Sequence, residues 1–168
     1  GTDLTGAAGD GNSHAGMTIL DADNNVIGGS AEGERNLVSG SGIYGIEIWR
    51  GVNNTIENNY VGTNLAGTAA IGNGDTGILV VDSSNVWLID NLISGNQQSG
   101  AFLDRVDHSV SQGNTIGTDK DGMTVLGNGG HGLGIIGTDF TIGGPNSGEG
   151  NLISGNDGWA ALMLRGNG

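Results

Sequence analysis

Apolar residues recur at every second position in short stretches along this chain. Each stretch follows a small residue, as MTIL follows Gly16, IEIW follows Gly45 and ILVV follows Gly77. Alternation of this kind directs one face of a short strand toward a core, and no segment shows a helical period. The first and third positions of each stretch are the predicted inward pairs: Met17/Ile19, Ile46/Ile48, Ile78/Val80, Ala101/Leu103, Leu133/Ile135 and Ala161/Met163.

Two further short strands follow each stretch before the pattern begins again. The second is predicted at residues 26–27, 55–56, 87–88 and 141–142, and the third begins after an asparagine. Three strands per turn are typical of a parallel β-helix, in which each turn pairs only with its neighbours. The pattern therefore predicts an all-β fold, a single right-handed parallel β-helix (solenoid) of about six rungs with three short strands per rung.

The chain repeats itself at two scales. NLISGN occurs at 91–96 and again at 151–156, with a near copy, NLVSG, at 36–40. Three longer loops, beginning at residues 1, 62 and 117, align without a gap. One β-helix domain, 1–168, is therefore predicted to contain three double repeats: 1–61, 62–116 and 117–168. Because both ends lie within the repeat without a capping element, we expect a fragment of a longer protein.

An asparagine precedes the third strand in five turns. Strands of neighbouring rungs stack about 4.8 Å apart, so side chains in one column can hydrogen-bond along the axis and to the backbone. We predict an asparagine ladder formed by Asn36, Asn59, Asn91, Asn114 and Asn151.

The motifs NxIGG, GNxISGN, GIxI and IGTDxxGxxxxGN resemble the right-handed parallel β-helix repeats of secreted bacterial proteins, in the pectate-lyase-like superfamily. The resemblance covers essentially the whole chain. It implies the fold and an extracellular or cell-surface location in a bacterium. That superfamily includes lyases, hydrolases, epimerases, phage tailspikes and non-catalytic adhesins, so the resemblance alone assigns no activity.

The charge balance limits the possible partners. The chain has 18 acidic and 5 basic residues and a net charge of −13. Nucleic acid and anionic membrane surfaces are therefore poor partners. No apolar run approaches the roughly 20 residues of a membrane span, so we expect no membrane insertion. The absence of cysteine excludes disulfides and thiolate metal sites.

The second and fourth positions of the first strands should face solvent, yet many of them are large and apolar. Soluble proteins seldom leave such a stripe uncovered. We interpret it as a surface for protein self-association or polysaccharide binding, in which Trp49 and Phe102 could stack on sugar rings. The candidate binding residues are Trp49, Leu79, Val81, Phe102 and Ile136, and the stripe also includes Leu20, Leu162 and Leu164.

Two sets of charged residues could carry chemistry. A column at the turn after the first strand contains Asp21, Arg50, Asp82, Arg105, Gly137 and Arg165, and we interpret it as a salt-bridge ladder. The DRVDH segment places Asp104, Asp107 and His108 near Asp82, which is the densest group of titratable side chains. General acid–base catalysis needs such proximity, so these four are the catalytic candidates if the protein is an enzyme.

Two weaker signals complete the set of candidates. The tripeptide around His131 resembles one motif of pectin-degrading hydrolases, whose other motifs are absent. Acidic residues at alternate positions suit Ca²⁺, which makes Asp21, Asp23, Asp119 and Asp121 candidate calcium ligands. We expect no other cofactor.

The function predicted from the sequence is a non-catalytic structural or binding module of an extracellular bacterial repeat protein, adhesin-like, which interacts with carbohydrate or protein. The alternative is a polysaccharide lyase or glycoside hydrolase of the pectate-lyase-like fold. The few basic residues and the lack of a concentrated acid–base set favour the first of these.

Overall fold

The computed structural model describes residues 1–166, except for the side chain of Glu32, and shows an all-β chain of parallel sheets. Sheet A contains β1 (Met17–Leu20), β4 (Ile46–Trp49), β7 (Ile78–Val81), β10 (Ala101–Asp107), β13 (Leu133–Thr138) and β16 (Leu162–Arg165). Sheet B contains β2 (Val26–Gly28), β5 (Thr55–Glu57), β8 (Trp87–Ile89), β11 (Val110–Gln112) and β14 (Thr141–Ile142). Sheet C contains β3 (Leu37–Val38), β6 (Tyr60–Val61), β9 (Leu92–Ile93), β12 (Thr115–Ile116) and β15 (Leu152–Ile153).

Every strand pairs in parallel with the equivalent strand of the next turn. In sheet A, Met17 pairs with Ile46, and Ile46 pairs with Ile78. The strand order in all three sheets follows the chain from one turn to the next. The predicted β-helix with three strands per rung is therefore confirmed. A 3₁₀ turn at Glu32–Glu34 interrupts the strands, and within residues 1–166 no helix has the length and apolarity needed to cross a membrane.

Apolar side chains stacked along the axis form the core. Ile46 and Ile48 are fully buried, and equivalent residues of the next rungs continue both columns. Sheets B and C add their own columns, such as Ile27–Ile56–Leu88 and Val38–Val61–Ile93. Each core residue therefore packs against its equivalents one rung away, which is why the period-two pattern repeats with the turn.

The predicted register of the last rung is wrong by one residue. Leu162 pairs with Leu133 and Leu164 pairs with Ile135, so leucines occupy the inward columns and Ala161 lies before the strand. The cause is one extra residue in the preceding loop: Leu162 is one position farther from Asn156 than Ala101 is from Asn96. A slip of one residue moves every side chain of a strand to the opposite face.

This shift corrects three further assignments. Leu162 and Leu164 do not belong to the outward stripe, whereas Met163 does. Arg165 pairs with Ile136 and therefore lies outside the charged column. Gly137 also lies outside it, because a register shift after Asp104 pairs Gly137 with Val106.

Strand β11 was not predicted because its inward position is polar. Ser111 pairs with Leu88 on one side and Ile142 on the other, and is only 2% exposed. The Ser111 hydroxyl donates to Asn151 Oδ1 and accepts a hydrogen bond from Asn114 Nδ2. This buried hydroxyl is therefore satisfied by the asparagine ladder.

The predicted asparagine ladder is confirmed. Each side-chain amide donates to the Oδ1 of the asparagine in the following rung, at distances of 2.9, 3.2, 3.0 and 2.9 Å from Asn36 to Asn151. The same Oδ1 atoms also accept from the backbone N–H of the preceding asparagine. The ladder thus satisfies backbone groups at a corner where the chain leaves sheet B.

A second asparagine ladder lies at the corner before sheet A and was not predicted. Asn73 donates to Asn96, Asn96 to Asn128 and Asn128 to Asn156 along the axis, at 2.8, 2.9 and 2.8 Å. Ser41 occupies the same column, and its backbone N–H donates to Asn73 Oδ1. The signal for this ladder was a Gly-Asn dipeptide whose asparagine stands five or six residues before every first strand except β4, where Ser41 takes its place.

Candidate functional site

The outward face of sheet A consists of two side-chain columns. The second strand positions form the column Thr18–Glu47–Leu79–Phe102–Gly134–Met163, and the fourth form Leu20–Trp49–Val81–Asp104–Ile136–Arg165. All five predicted binding residues lie in these columns. Val81 is only 3% exposed, and the other four are half-buried. The stripe is therefore less open than the sequence suggested.

The middle of this face is closed by its own side chains. A Cβ on Gly134 would stand 2.5 Å from Phe102 Cδ2 and 3.5 Å from Met163 Cε, so the phenyl ring lies directly over this glycine. Phe102 thus covers the next rung and is itself half-buried. The packing leaves the first two rungs as the open part of the face.

A cleft of about 380 Å³ opens there, and its lining includes both strand and loop residues. We call it the Glu47 cleft, and it is lined by His14, Thr18, Leu20, Tyr44, Glu47 and Trp49. Strands β1 and β4 supply four of these side chains, whereas the loops before those strands supply His14 and Tyr44. The stacking of the first two rungs brings all six together.

A buried carboxylate organises this cleft. Glu47 is 4% exposed, and three side chains surround its oxygens. The Thr18 hydroxyl donates to Oε1 at 2.7 Å, and the Trp49 indole N–H donates to Oε2 at 3.1 Å. His14 Nε2 lies 3.1 Å from Oε1. Hydrogen bonds to a charged acceptor are stronger than those between neutral groups, so the carboxylate fixes the orientation of the indole ring.

The rings of His14 and Tyr44 form part of the lining of the Glu47 cleft. The His14 and Tyr44 rings meet edge to face, with centroids 5.7 Å apart. Burial raises the pKa of the Tyr44 hydroxyl, and the negative charges of Asp75 and Glu47 raise it further. Tyr44 therefore stays a neutral hydroxyl near neutral pH, available as both donor and acceptor.

This arrangement suits the recognition of a ligand with apolar faces and polar edges. Two rings, one imidazole and one carboxylate converge on a concave surface, and small-ligand sites typically combine apolar walls with a few fixed polar groups. Of these residues, only Trp49 and Leu20 were predicted from the sequence to lie on this surface. The available signal was Glu47 itself, a carboxylate in an outward column that is otherwise largely apolar.

The catalytic candidates are divided between two sets of partners. Arg105 binds Asp82 at 2.5 Å through Nε and also binds Asp104, and this guanidinium lowers the pKa of Asp82. Asp107 instead accepts from the backbone and hydroxyl of Thr138. Asp82 and Asp104 therefore both form ion pairs with Arg105.

His108 contacts the following rung. Its Nε2 lies 3.3 Å from Asp139 Oδ2, and both side chains are about two-thirds exposed. The GHG histidine, His131, lies beside Trp159 with ring centroids 5.4 Å apart, and its Nδ1 is 3.3 Å from the Ala160 carbonyl. Neither histidine joins the Glu47 cleft.

The charged column forms the ion pairs that its alternating signs suggest. Arg50 makes a two-point contact with Asp21, at 2.6 Å from Nε and 3.0 Å from Nη2. The hydrogen bond from Arg50 lowers the pKa of Asp21. Both residues have positive φ, so the pairs lie at tight corners of the turns.

The calcium candidates have protein partners. Asp21 is bound to Arg50, and Asp23 Oδ1 accepts from Val52 N at 2.7 Å. Asp119 Oδ1 accepts from Met123 N at 2.8 Å, and Asp121 pairs with Lys120. Among the described residues, no three His, Cys, Asp or Glu side chains are grouped so that they could hold a metal ion.

A parallel solenoid with repeated rungs and two asparagine ladders defines a repeat-type β-helix protein. The chain belongs to the right-handed beta-helix family, because the family model described as "Right handed beta helix region" matches residues 2–167. No curated protein and no solved structure matches the chain significantly. The family includes both enzymes and non-catalytic proteins, so a function must be argued from the site.

Proposed function

We propose that this chain is a non-catalytic carbohydrate-binding module of an extracellular bacterial protein, and that the Glu47 cleft is its binding site. The observation that carries the proposal is the fixed indole of Trp49, which donates to the buried carboxylate of Glu47 beside the Tyr44 ring. The extracellular location follows from the resemblance to secreted bacterial repeats.

The proposed binding mode uses the two kinds of surface that a sugar presents. The C–H face of a pyranose is apolar and packs on an aromatic ring, whereas its hydroxyl groups hydrogen-bond at the ring edge. Trp49 supplies the ring, and Tyr44 and His14 supply polar groups at the rim. Because Glu47 already holds the indole, little side-chain entropy is lost when a sugar binds.

Calorimetric titration with a panel of oligosaccharides tests this proposal. Trp49→Ala should weaken binding by at least about tenfold, since a buried aromatic anchor commonly contributes this much. Trp87→Ala is the matched control, because Trp87 is also half-buried but lies on β8 in sheet B. The proposal is wrong if no oligosaccharide binds, or if both substitutions weaken binding equally.

Self-association through sheet A is the competing use of the same face. It predicts that sedimentation velocity shows concentration-dependent assembly, which Trp49→Asp weakens because a charge is then placed in an apolar contact. A chain that stays monomeric at high concentration while it binds sugar would favour the carbohydrate interpretation.

A polysaccharide lyase or hydrolase activity is the second candidate function. The exposed pair of His108 with Asp139 favours it, because an imidazole beside a carboxylate is a common arrangement for general acid–base catalysis. The test measures unsaturated products and reducing ends from a polysaccharide panel, with and without Ca²⁺. Turnover that Asp107→Ala or His108→Ala abolishes would establish the enzyme and overturn the non-catalytic proposal.

A further inference from the structure

We propose that the Glu47 cleft selects glycans whose sugar units carry a cationic amine, the chemistry of glucosamine. This inference rests on the proposed carbohydrate-binding function and names the class of ligand. It follows from a difference in ion pairing between Glu47 and two carboxylates at corners of the turns, Asp21 and Asp82.

Those corner carboxylates are neutralised by arginine. Arg50 binds Asp21 and Arg105 binds Asp82, and all four side chains are at least two-fifths exposed. Glu47 is the opposite case, because its side chain is 5% exposed and its contacts come from a hydroxyl, an indole and His14. Within residues 1–166 no lysine or arginine forms an ion pair with it.

A carboxylate buried without a lysine or arginine partner attracts positive charge strongly. The attraction between two charges grows as the surrounding dielectric constant falls, and salt screens a buried charge less than an exposed one. The aromatic walls act in the same direction, since an ammonium group is attracted to the face of an indole or phenol ring. Trp49 and Tyr44 both line the cleft in which this carboxylate lies.

The hydrogen bonds of Glu47 leave acceptor positions free on its carboxylate. Two carboxylate oxygens offer about four acceptor positions, and Thr18 and Trp49 use two of them, while His14 Nε2 lies 3.1 Å from Oε1. His14 is 58% exposed at the outer side of Glu47 and marks where a ligand group with a polar hydrogen would approach. An ammonium group fits this position, whereas the carboxylate of a uronic acid would be repelled.

Three β-1,4-linked hexasaccharides isolate the charge from the shape of the sugar. Glucose, N-acetylglucosamine and glucosamine differ in the group at one ring carbon, which is a hydroxyl, a neutral amide or an ammonium. Calorimetry at a pH below the pKa of the amine should show the glucosamine hexamer binding about tenfold more tightly than the other two.

The variants separate Glu47 from the general negative charge of the chain. Glu47→Gln should remove the preference for glucosamine. Asp90→Asn makes the same charge change at an exposed residue with φ of 53°, a conformation that asparagine also tolerates, and should keep the preference. At raised ionic strength the attraction of a polycation to the net charge of −13 should fade, while the preference due to Glu47 remains.

The outcomes distinguish this inference from the proposed function. If all three hexamers bind equally and Trp49→Ala weakens all of them, the carbohydrate site stands and selection for an amine is wrong. If no hexamer binds while another oligosaccharide of the panel does, selection for an amine alone is wrong, and if no oligosaccharide binds, both are wrong. If Glu47→Gln disturbs the indole, the salt series on the wild type still decides, because a preference that disappears at high salt contradicts a buried charge.

Discussion

Asn91 is the residue at which the asparagine ladder can be tested most sharply. Its Nδ2 donates to the Ile56 carbonyl at 2.8 Å and to Asn114 Oδ1 at 3.0 Å, and its Oδ1 accepts from Asn59 N at 2.9 Å. The side chain lies in a rung with neighbours on both sides and is 1% exposed. Asn91→Ala therefore removes these hydrogen bonds at a buried site, where water does not replace them.

The expected cost follows from the groups that lose a partner. The Asn59 N–H loses its acceptor and the Ile56 carbonyl loses the Asn91 donor, whereas Asn114 Oδ1 keeps the hydrogen bond from the Asn91 backbone. A buried polar group left unpaired costs about 1–3 kcal/mol. We expect Asn91→Ala to lower the free energy of unfolding by about 3 kcal/mol.

Asn36→Ala is the matched control at the first rung. Asn36 donates to Asn59 Oδ1 at 2.9 Å, and that oxygen keeps the hydrogen bond from the Asn36 backbone at 3.1 Å. Only one bond is lost at a half-buried position, so about 1 kcal/mol is expected. Urea unfolding followed by circular dichroism and by tryptophan fluorescence measures both values and shows whether the transitions coincide. Equal costs for the two variants would refute the reasoning.

Three further predictions concern other parts of the solenoid. Ser41→Asn should raise the free energy of unfolding, measured by urea unfolding, by about 1 kcal/mol, because the Ser41 hydroxyl is buried without a partner and an amide would extend the second ladder. An unchanged free energy would contradict the extension of that ladder to this position. Gly134→Ala should lower the stability by about 1–3 kcal/mol, and with it the midpoint of thermal unfolding, because the added Cβ would displace the Phe102 ring. An unchanged midpoint would show that the ring does not lie over Gly134. Because Arg105 lowers the pKa of Asp82, that pair stabilises the fold above the ordinary carboxyl pKa and the contribution is lost as the pH falls through the folded value. Acid titration of Arg105→Met should therefore show a smaller loss of stability between neutral and acidic pH than the wild type, and identical curves would contradict the pairing.

The repeating part of the fold could be predicted from the sequence because inward side chains, turns and ladder asparagines all recur with the turn. Prediction failed where one rung departs from the others. The extra residue before β16 shifted its register, and the inward Ser111 concealed β11. Both departures change local spacing or polarity without changing the geometry of the neighbouring rungs, which impose their register through hydrogen bonds and stacking.

The Glu47 cleft was only partly predictable, for a different reason. Pairing β1 with β4 in the predicted register already places Thr18 beside Glu47. His14 and Tyr44, however, lie in corner loops that stack through backbone hydrogen bonds, such as that from Ile43 N–H to the His14 carbonyl, and carry no apolar alternation that would place their side chains. The site therefore combines four strand residues, which a register can align, with two rings that the folded loops bring to the same cleft.

The indole N–H resonances provide the most direct test of the carbohydrate site. The chain has 3 tryptophans, and in a ¹⁵N-labelled sample each gives one indole signal, which Trp87→Phe and Trp159→Phe assign by elimination. Addition of the glucosamine hexamer should shift the signal of Trp49, whose N–H is held by Glu47, and leave that of Trp87 unchanged. A Trp49 signal that does not move although the hexamer binds would contradict the proposed site.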